Sequence, residues 1–416
     1  MERNDPRYQA YVEILKEELI PAMGCTEPIA LAYAAAKARE VLGVLPDSVQ
    51  LQVSGSIIKN VKSVIVPNTG HLKGMEAAVA AGIIAGSAEK ELEVISEVSE
   101  EKKSAIRDYL QTVPITIEHT EQGHVFDIVV TERCGQDYAR VRIADYHTNI
   151  CRIEKNGTVL YEVPLLDETV QENARADRSL LNMQDIWDFA ETADLRDVAD
   201  LLERQIRYNN AIAEEGLLGD YGANIGRVLL TTYGNDVSNR AKAKAAAGSD
   251  ARMNGCELPV IINSGSGNQG ITCSVPLIEY AKELHSGKEK LYRALIISNL
   301  VAIHEKTGIG TLSAYCGAVS AGAGAGAGIV YLCGDGYQAA IHTVVNALAI
   351  VSGIVCDGAK ASCAAKIASS VDAALLGYNM YKCNQEFKGG DGIVMKDIET
   401  TIKGIGRLGK NGMKET

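Results

Sequence analysis

Between Leu312 and Cys356 the chain carries one charged residue, Asp335. Two uncharged stretches of this length, Leu312–Gly334 and Gly336–Cys356, must be buried, either in a bilayer or inside a helical core. The first is largely Gly and Ala, and the second carries Gln338, His342 and Asn346. Neither is flanked by aromatic belts or a Lys/Arg asymmetry, so closely packed helices fit them better than membrane spans. The Gly/Ala run Gly322–Gly328 suits a tight helix crossing rather than a linker.

Upstream the periodicity differs. Asp5-Pro6 reads as an N-cap and first-turn pair opening a helix to about Ile20. After a break over Pro21–Pro28, an Ala-rich helix runs to about Leu42. Val49–Val53 and Val61–Val66 alternate as strands, whereas Gly74–Ala88 and Ser99–Gln111 read as helices. From Ile115 to Val163 the pattern has period two, over Ile115–His119, Val125–Thr131, Tyr138–Ala144 and Ile150–Ile153. Asn156-Gly157 is a strong hairpin signal.

Beyond Pro164 strands almost vanish. Helical patterns cover Asp197–Glu214, Ile271–His285, Leu291–Glu305, Gln338–Val351 and Ala359–Leu376. The expected fold is therefore α+β. An N-terminal α+β domain with a small, mainly antiparallel sheet (1–165) precedes an all-α domain of Gly/Ala-rich helices (166–416), with the boundary in the polar segment near 164–178.

With 416 residues the chain can bury a large core. A net charge of −12 and no basic stripe argue against nucleic acid as a partner. The polar start, Met1-Glu-Arg-Asn-Asp-Pro, is no signal peptide, so a cytoplasmic setting is expected in which the ten cysteines stay reduced. No membrane partner is expected, and a homo-oligomer is left open.

Three cysteines in the uncharged region suggest chemistry: Cys316 in Ala-Tyr-Cys-Gly, and Cys356 and Cys363 in Cys-Asp-Gly-Ala-Lys-Ala-Ser-Cys. Three thiolates suit an iron–sulfur cluster that leaves one iron without a protein ligand, free to act as a Lewis acid. The competing reading is packing, since free Cys is among the most buried residue types. On one helix, Cys356 and Cys363 would lie about 10.5 Å apart along the axis, long for one cluster. Asp357-Gly358 instead predicts a turn, with Cys363 in the first turns of the next helix. Cys134 and Cys151 read as packing residues, and Cys256, Cys273, Cys333 and Cys383 have no assigned role.

Two other motifs stand at predicted helix starts. In Gly24-Cys25-Thr26-Glu27-Pro28, Thr26 reads as the N-cap, and a thiol there feels the positive helix end, which favours thiolate. Cys25 is then a base, a nucleophile, a metal ligand or a buried turn residue. Asn263-Ser-Gly-Ser-Gly-Asn-Gln-Gly270 comes after an apolar run and precedes a helix. It satisfies the dinucleotide fingerprint formally, but Leu291–Glu305 reads as a helix where a second strand is required. The part that survives is an anion nest suited to a carboxylate.

In combination, Gly24-Cys-Thr-Glu-Pro, Ser264-Gly-Ser-Gly-Asn-Gln-Gly, Tyr315-Cys-Gly and Cys356-Asp-Gly-Ala-Lys-Ala-Ser-Cys resemble the L-cysteine desulfidase family over essentially the whole chain. That family is related to the oxygen-labile iron–sulfur L-serine dehydratases. The resemblance implies a lyase with a [4Fe-4S] cluster on Cys316, Cys356 and Cys363, and Cys25 as proton acceptor. The expected reaction is β-elimination from L-cysteine to pyruvate, ammonia and sulfide. Ser264, Ser266, Gly267, Asn268 and Gln269 would hold the amino-acid carboxylate, with Thr26, Glu27, Asn68 and Thr69 lining the substrate site. The alternatives are an L-serine dehydratase of the same mechanism, a pyridoxal-phosphate eliminase, for which no Lys stands in a recognisable setting, and a cluster-bearing sensor, which would need neither nest nor Cys25. His71, His342, Arg240 and Lys242 keep unassigned roles.

Overall fold

The computed structural model describes residues 1–120, 124–165, 175–310 and 312–413. Asp5 caps α1 (Pro6–Glu18) by accepting the Arg7 amide at 2.9 Å. The chain continues through β1 (Pro21–Met23), α2 (Thr26–Leu42), β2 (Ser48–Val53), α3 (Gly55–Val61), α4 (Gly74–Ala85) and α5 (Glu100–Thr112). Then come β3 (Ile115–His119), β4 (Asp127–Cys134), β5 (Asp137–Ala144), β6 (Ile150–Lys155) and β7 (Thr158–Glu162). These build a six-stranded sheet in the order β3-β2-β4-β5-β6-β7, antiparallel except where β2 meets β3. Asn156 (φ 49°) and Gly157 (φ 81°) turn β6 into β7 with the two positive φ values that a tight hairpin requires.

One sheet face is buried under α2, because β2 alternates strictly between buried and half-buried positions and α2 lies across β4 and β5. Helix α4 stacks on α2 in turn. At that crossing a Cβ on Gly82 would lie 2.1 Å from the Ala32 carbonyl oxygen, so the backbones meet where only glycine fits. Gly82→Ala should therefore destabilise the protein by about 1–3 kcal/mol through overpacking. A urea midpoint unchanged from wild type would show that the helices do not meet this closely.

The expectation of a strand over Val61–Val66 is not met. Gly55–Val61 is helical, and the chain beyond it turns, with a single bridge between Ile65 and Lys73. Val61, Val64 and Val66 are buried, so their alternation marks burial of an irregular segment.

The remaining elements are α6 (Met183–Thr192), α7 (Ala199–Leu218), α8 (Ile225–Tyr233), α9 (Val237–Met253), β8 (Pro259–Ile261), α10 (Gly267–Glu283), α11 (Lys288–Ile309), α12 (Gly317–Cys333), α13 (Tyr337–Val351), α14 (Ser362–Lys382) and α15 (Ile398–Arg407). The uncharged stretches form α12 and α13. Helix α12 packs against α10, α11, α13 and α14, and its Gly324 meets the Ser298 carbonyl where a Cβ would lie 2.4 Å away. Among the described residues no helix is long and apolar enough to cross a membrane.

The architecture is thus α+β with a helical C-terminal part. The division expected at 165/166 abuts residues 166–174, which lie outside those described. Two features cross it. β1 pairs antiparallel with β8, Pro21 facing Ile261, and Tyr8 and Tyr11 of α1 stack edge-on against Phe189 of α6. One hydrophobic core runs through both parts.

Candidate functional site

The β1–β8 ladder tethers the Cys25 loop to the nest, since one lies just after β1 and the other just after β8. Gly24 (φ 56°) packs so tightly on Pro67 that a Cβ would sit 2.7 Å from its Cγ. Cys25, not Thr26, is the N-cap of α2. The Thr26 hydroxyl donates to the Gly265 carbonyl at 3.0 Å and so closes the loop onto the nest.

Glu27 organises this junction. Its carboxylate accepts from the Cys25 thiol at 3.0 Å and the Asn60 amide at 2.8 Å, and the Thr26 hydroxyl, whose one proton goes to Gly265, lies 3.1 Å from it. Burial works to raise its pKa, but His147, the Cys25 hydrogen bond and Arg252 outweigh it and hold the carboxyl below its usual range. The opposite holds for Cys25, where burial and then the Glu27 charge push the thiol well above its ordinary value. The expected thiolate is thus absent in this state. The helix end is outweighed by loss of solvent and by a carboxylate at hydrogen-bond distance.

The nest is a two-residue turn. Ser264 (φ 49°) and Gly265 (φ 76°) reverse the chain, and Asn263 and Ser266 exchange backbone hydrogen bonds across it. The Ser264 hydroxyl is spent on the Asn263 side chain at 2.9 Å. The amides available to an anion are those of the first turn of α10, Gly267, Asn268 and Gln269. Asn68 and Thr69 are buried beside the Cys25 loop, but their polar atoms bind the carbonyls of Ile95 and Val66 and so build the Pro67 turn.

Arg252 and His147 complete the site, and the sequence motifs point to neither. Arg252, at the end of α9, is buried and donates to the Asn268 side chain at 3.1 Å. Its Nε lies 2.3 Å from where a Gly267 Cβ would be, a close approach that requires glycine. His147 reaches in from the turn between β5 and β6, its ring edge-on to Phe126 at 4.7 Å and its Cε1 3.2 Å from the position of a Gly265 Cβ. Burial lowers its pKa below the ordinary imidazole value. The one signal that could have found Arg252 is a charge closing the small-residue run Ala245-Ala-Ala-Gly-Ser-Asp-Ala. No local pattern marks His147.

The three cysteines gather one step further. Cys316 is the N-cap of α12, and Cys363 is the second residue of α14. Tyr315 and Val355 form an antiparallel bridge, with the Cys356 amide donating to the Ala314 carbonyl at 2.7 Å. Cys316 and Cys356 are therefore diagonal neighbours on one face of that bridge. Gly358 (φ 95°) makes the predicted turn and presses on the Lys59 carbonyl of α3, where a Cβ would lie 2.5 Å away. Burial and then the Cys356 thiol push Cys316 up to about 12, and burial, with Cys356 adding to it, raises Cys363. Lys306, held down to about 8 by burial, feels both Cys316 and Cys356, while Lys366 donates to the Val355 carbonyl at 2.9 Å. Gln269 joins this triad to the nest, its side chain lying against Gly317 where a Cβ would be 2.6 Å away.

This donor set can be tested against an iron–sulfur cluster. Among the described residues no three His, Cys, Asp or Glu converge tightly enough for a single metal ion. A polynuclear cluster asks for something else, thiolates spread around it and cations to offset its charge. Three free cysteines placed so that their thiolates would oppose one another, with Lys306 and Lys366 beside them, fit that demand.

Other sequence candidates fall elsewhere. Cys151 is buried on β6, with its thiol toward the Arg142 carbonyl at 3.5 Å. Arg240 pairs with Glu283 and Lys242 with Asp372 at the surface. His342 pairs with Glu386 and stacks on Tyr381.

Fold and site together define a class: an α+β protein in which a cysteine triad, a helix-start anion nest and a buried Cys–Glu pair meet where the two parts join. Residues 89–416 match the serine dehydratase alpha chain family, and the chain belongs to that family. It is 62% identical over 416 residues to UPF0597 protein DSY1109 of Desulfitobacterium hafniense, covering 100% of this chain and 96% of that protein. A UPF0597 protein of Lachnoclostridium phytofermentans is 53% identical over 98% of this chain and 97% of its own length. One from Treponema denticola is 47% identical over 100% and 97%.

Proposed function

We propose that the protein is an iron–sulfur-dependent lyase that removes hydrogen sulfide from L-cysteine, giving pyruvate and ammonia in a reducing cytosol. The family supports a lyase of the serine dehydratase type. The observation that carries the reading further is the Thr26–Gly265 hydrogen bond, which seats the Cys25–Glu27 pair against the nest. Bound at Cys316, Cys356 and Cys363, a [4Fe-4S] cluster with one open iron would supply a Lewis acid for the leaving group.

The chain's own residues do the rest. The first-turn amides of α10 receive the substrate carboxylate. Glu27 takes the Cys25 proton, which frees the thiolate to accept the α-proton. Loss of that proton and of the β-sulfur as hydrogen sulfide leaves 2-aminoacrylate. This tautomerises to the imine, and water hydrolyses it to pyruvate and ammonia. The Cys–Glu pair is buried, so its proton returns to the substrate side rather than to bulk water.

L-serine is the competing substrate, and the family description favours it. We expect L-cysteine to be faster, because thiolate is a better leaving group and a softer iron ligand than hydroxide. Anaerobic kinetics with both amino acids decide this. A higher kcat/KM for L-serine would assign the dehydratase reaction, and turnover of neither would end the lyase reading.

A further inference from the structure

Among the described residues, four buried polar atoms around the nest have no hydrogen-bond partner: Asn60 Oδ1, His147 Nε2, Arg252 Nε and Gln269 Oε1. They come from four separate elements, α3, the β5–β6 turn, α9 and α10. Asn60 is anchored by its amide on Glu27, and His147 lies over Gly265. Arg252 is braced on Asn268, and Gln269 lies against Gly317. Each is held in place with a polar atom left unsatisfied, which is costly in the interior unless a ligand completes it.

The charges point the same way. Arg252 places a guanidinium against the start of α10, where the helix dipole and three amides without intrahelical partners are already positive. Two positive features packed together favour an anion between them. Glu27 is near, but its carboxylate already accepts from Cys25 and Asn60. The other three atoms are acceptors when His147 is the neutral tautomer protonated at Nδ1. An ammonium group offers three donors and no acceptor.

We infer that these four groups read the zwitterion of an α-amino acid. Arg252 and the first-turn amides of α10 take the carboxylate, while Asn60, His147 and Gln269 take the ammonium. The inference rests on the amino-acid reading proposed for this site and adds the residues that set the substrate class.

Calorimetry on the anaerobically purified full-length protein tests it. L-alanine carries both groups but no leaving group, propionate lacks the ammonium, and ethylamine lacks the carboxylate. Wild type should bind L-alanine about ten-fold or more tightly than either fragment, since each fragment leaves buried groups unpaired. Arg252→Lys keeps the charge but loses the fork. It should weaken L-alanine and propionate together by about ten-fold, leave ethylamine unchanged, and raise KM more than it lowers kcat. Gln269→Met should weaken L-alanine and ethylamine but not propionate. Thermal melts of both variants confirm that they fold. Propionate bound as tightly as L-alanine by wild type, or L-alanine bound equally well by a folded Arg252→Lys, would overturn the inference. If wild type binds L-alanine selectively yet turns over neither L-cysteine nor L-serine, this inference stands and the lyase reading falls. Normal turnover with an unchanged KM in Arg252→Lys sinks the inference alone.

Discussion

Replacing any one of Cys316, Cys356 and Cys363 by Ala is expected to remove bound iron and turnover together, whereas Cys151→Ala keeps both. The contrast comes from placement. Cys151 is a buried strand residue whose thiol faces the Arg142 backbone carbonyl. The other three sit on a helix start, a bridge strand and a second helix start, with Lys306 and Lys366 beside them. Cys316 and Cys363 titrate high because burial, and then the charge of neighbouring thiols, opposes the thiolate. A bound cluster core would relieve that opposition, and removing one thiolate would open it to solvent. A cluster with an open iron is also exposed to oxygen, so air should inactivate the enzyme, and iron and sulfide added anaerobically should restore it. Iron and sulfide assays with absorption spectra check these outcomes. Full iron content in Cys316→Ala would remove that residue from the ligand set, and full activity after air and chelation would remove the cluster from the reaction.

Much of this arrangement is legible in the sequence because its signals are local. The helix starts beside Cys25 and the nest are legible only to within a few residues, since Cys25 rather than Thr26 is the N-cap and α10 begins at Gly267 rather than Ile271, whereas the Asn156-Gly157 hairpin depends on a few adjacent residues and stands as read. So does the Asp357-Gly358 turn that separates Cys356 from Cys363. Where sequence and structure part, tertiary contacts decide. Val61–Val66 alternates because it is buried, not because it pairs. Helix α9 lacks an apolar stripe, since small residues are buried nearly all round it, and no periodicity announces it. The protonation of Cys25 depends on Glu27, two residues away in sequence, but also on burial that no local pattern reveals. Arg252 and His147 lie more than 100 residues apart in sequence, and only the fold brings them to the same nest.

Glu27→Gln should lower turnover by about 10²–10⁴-fold while leaving iron content unchanged. The carboxylate is the acceptor that lets Cys25 release its proton, and a carboxamide of the same shape cannot take it. Cys25→Ser should also retain iron, and should slow exchange of the substrate α-proton with solvent, because a hydroxyl is a far weaker base at neutral pH. The two side chains share one proton and one negative charge, so they titrate as a unit. In the resting pair Glu27 is held low and Cys25 high, which places the charge on the carboxylate. This fixes the sign of the pH dependence. A depressed carboxylate contributes its stabilisation above the ordinary Glu pKa of about 4.3 and loses it as pH falls through the lower folded value. Activity limited by this pair should thus stay level from neutral pH down to the ordinary carboxylate range and fall only below it. Profiles of kcat/KM for wild type and Glu27→Gln, measured anaerobically, test this. An acid limb in the wild type lying above the ordinary carboxylate range but below the ordinary imidazole value would assign proton transfer to His147, whose pKa burial lowers. Unchanged turnover in both Glu27→Gln and Cys25→Ser would take the pair out of the mechanism.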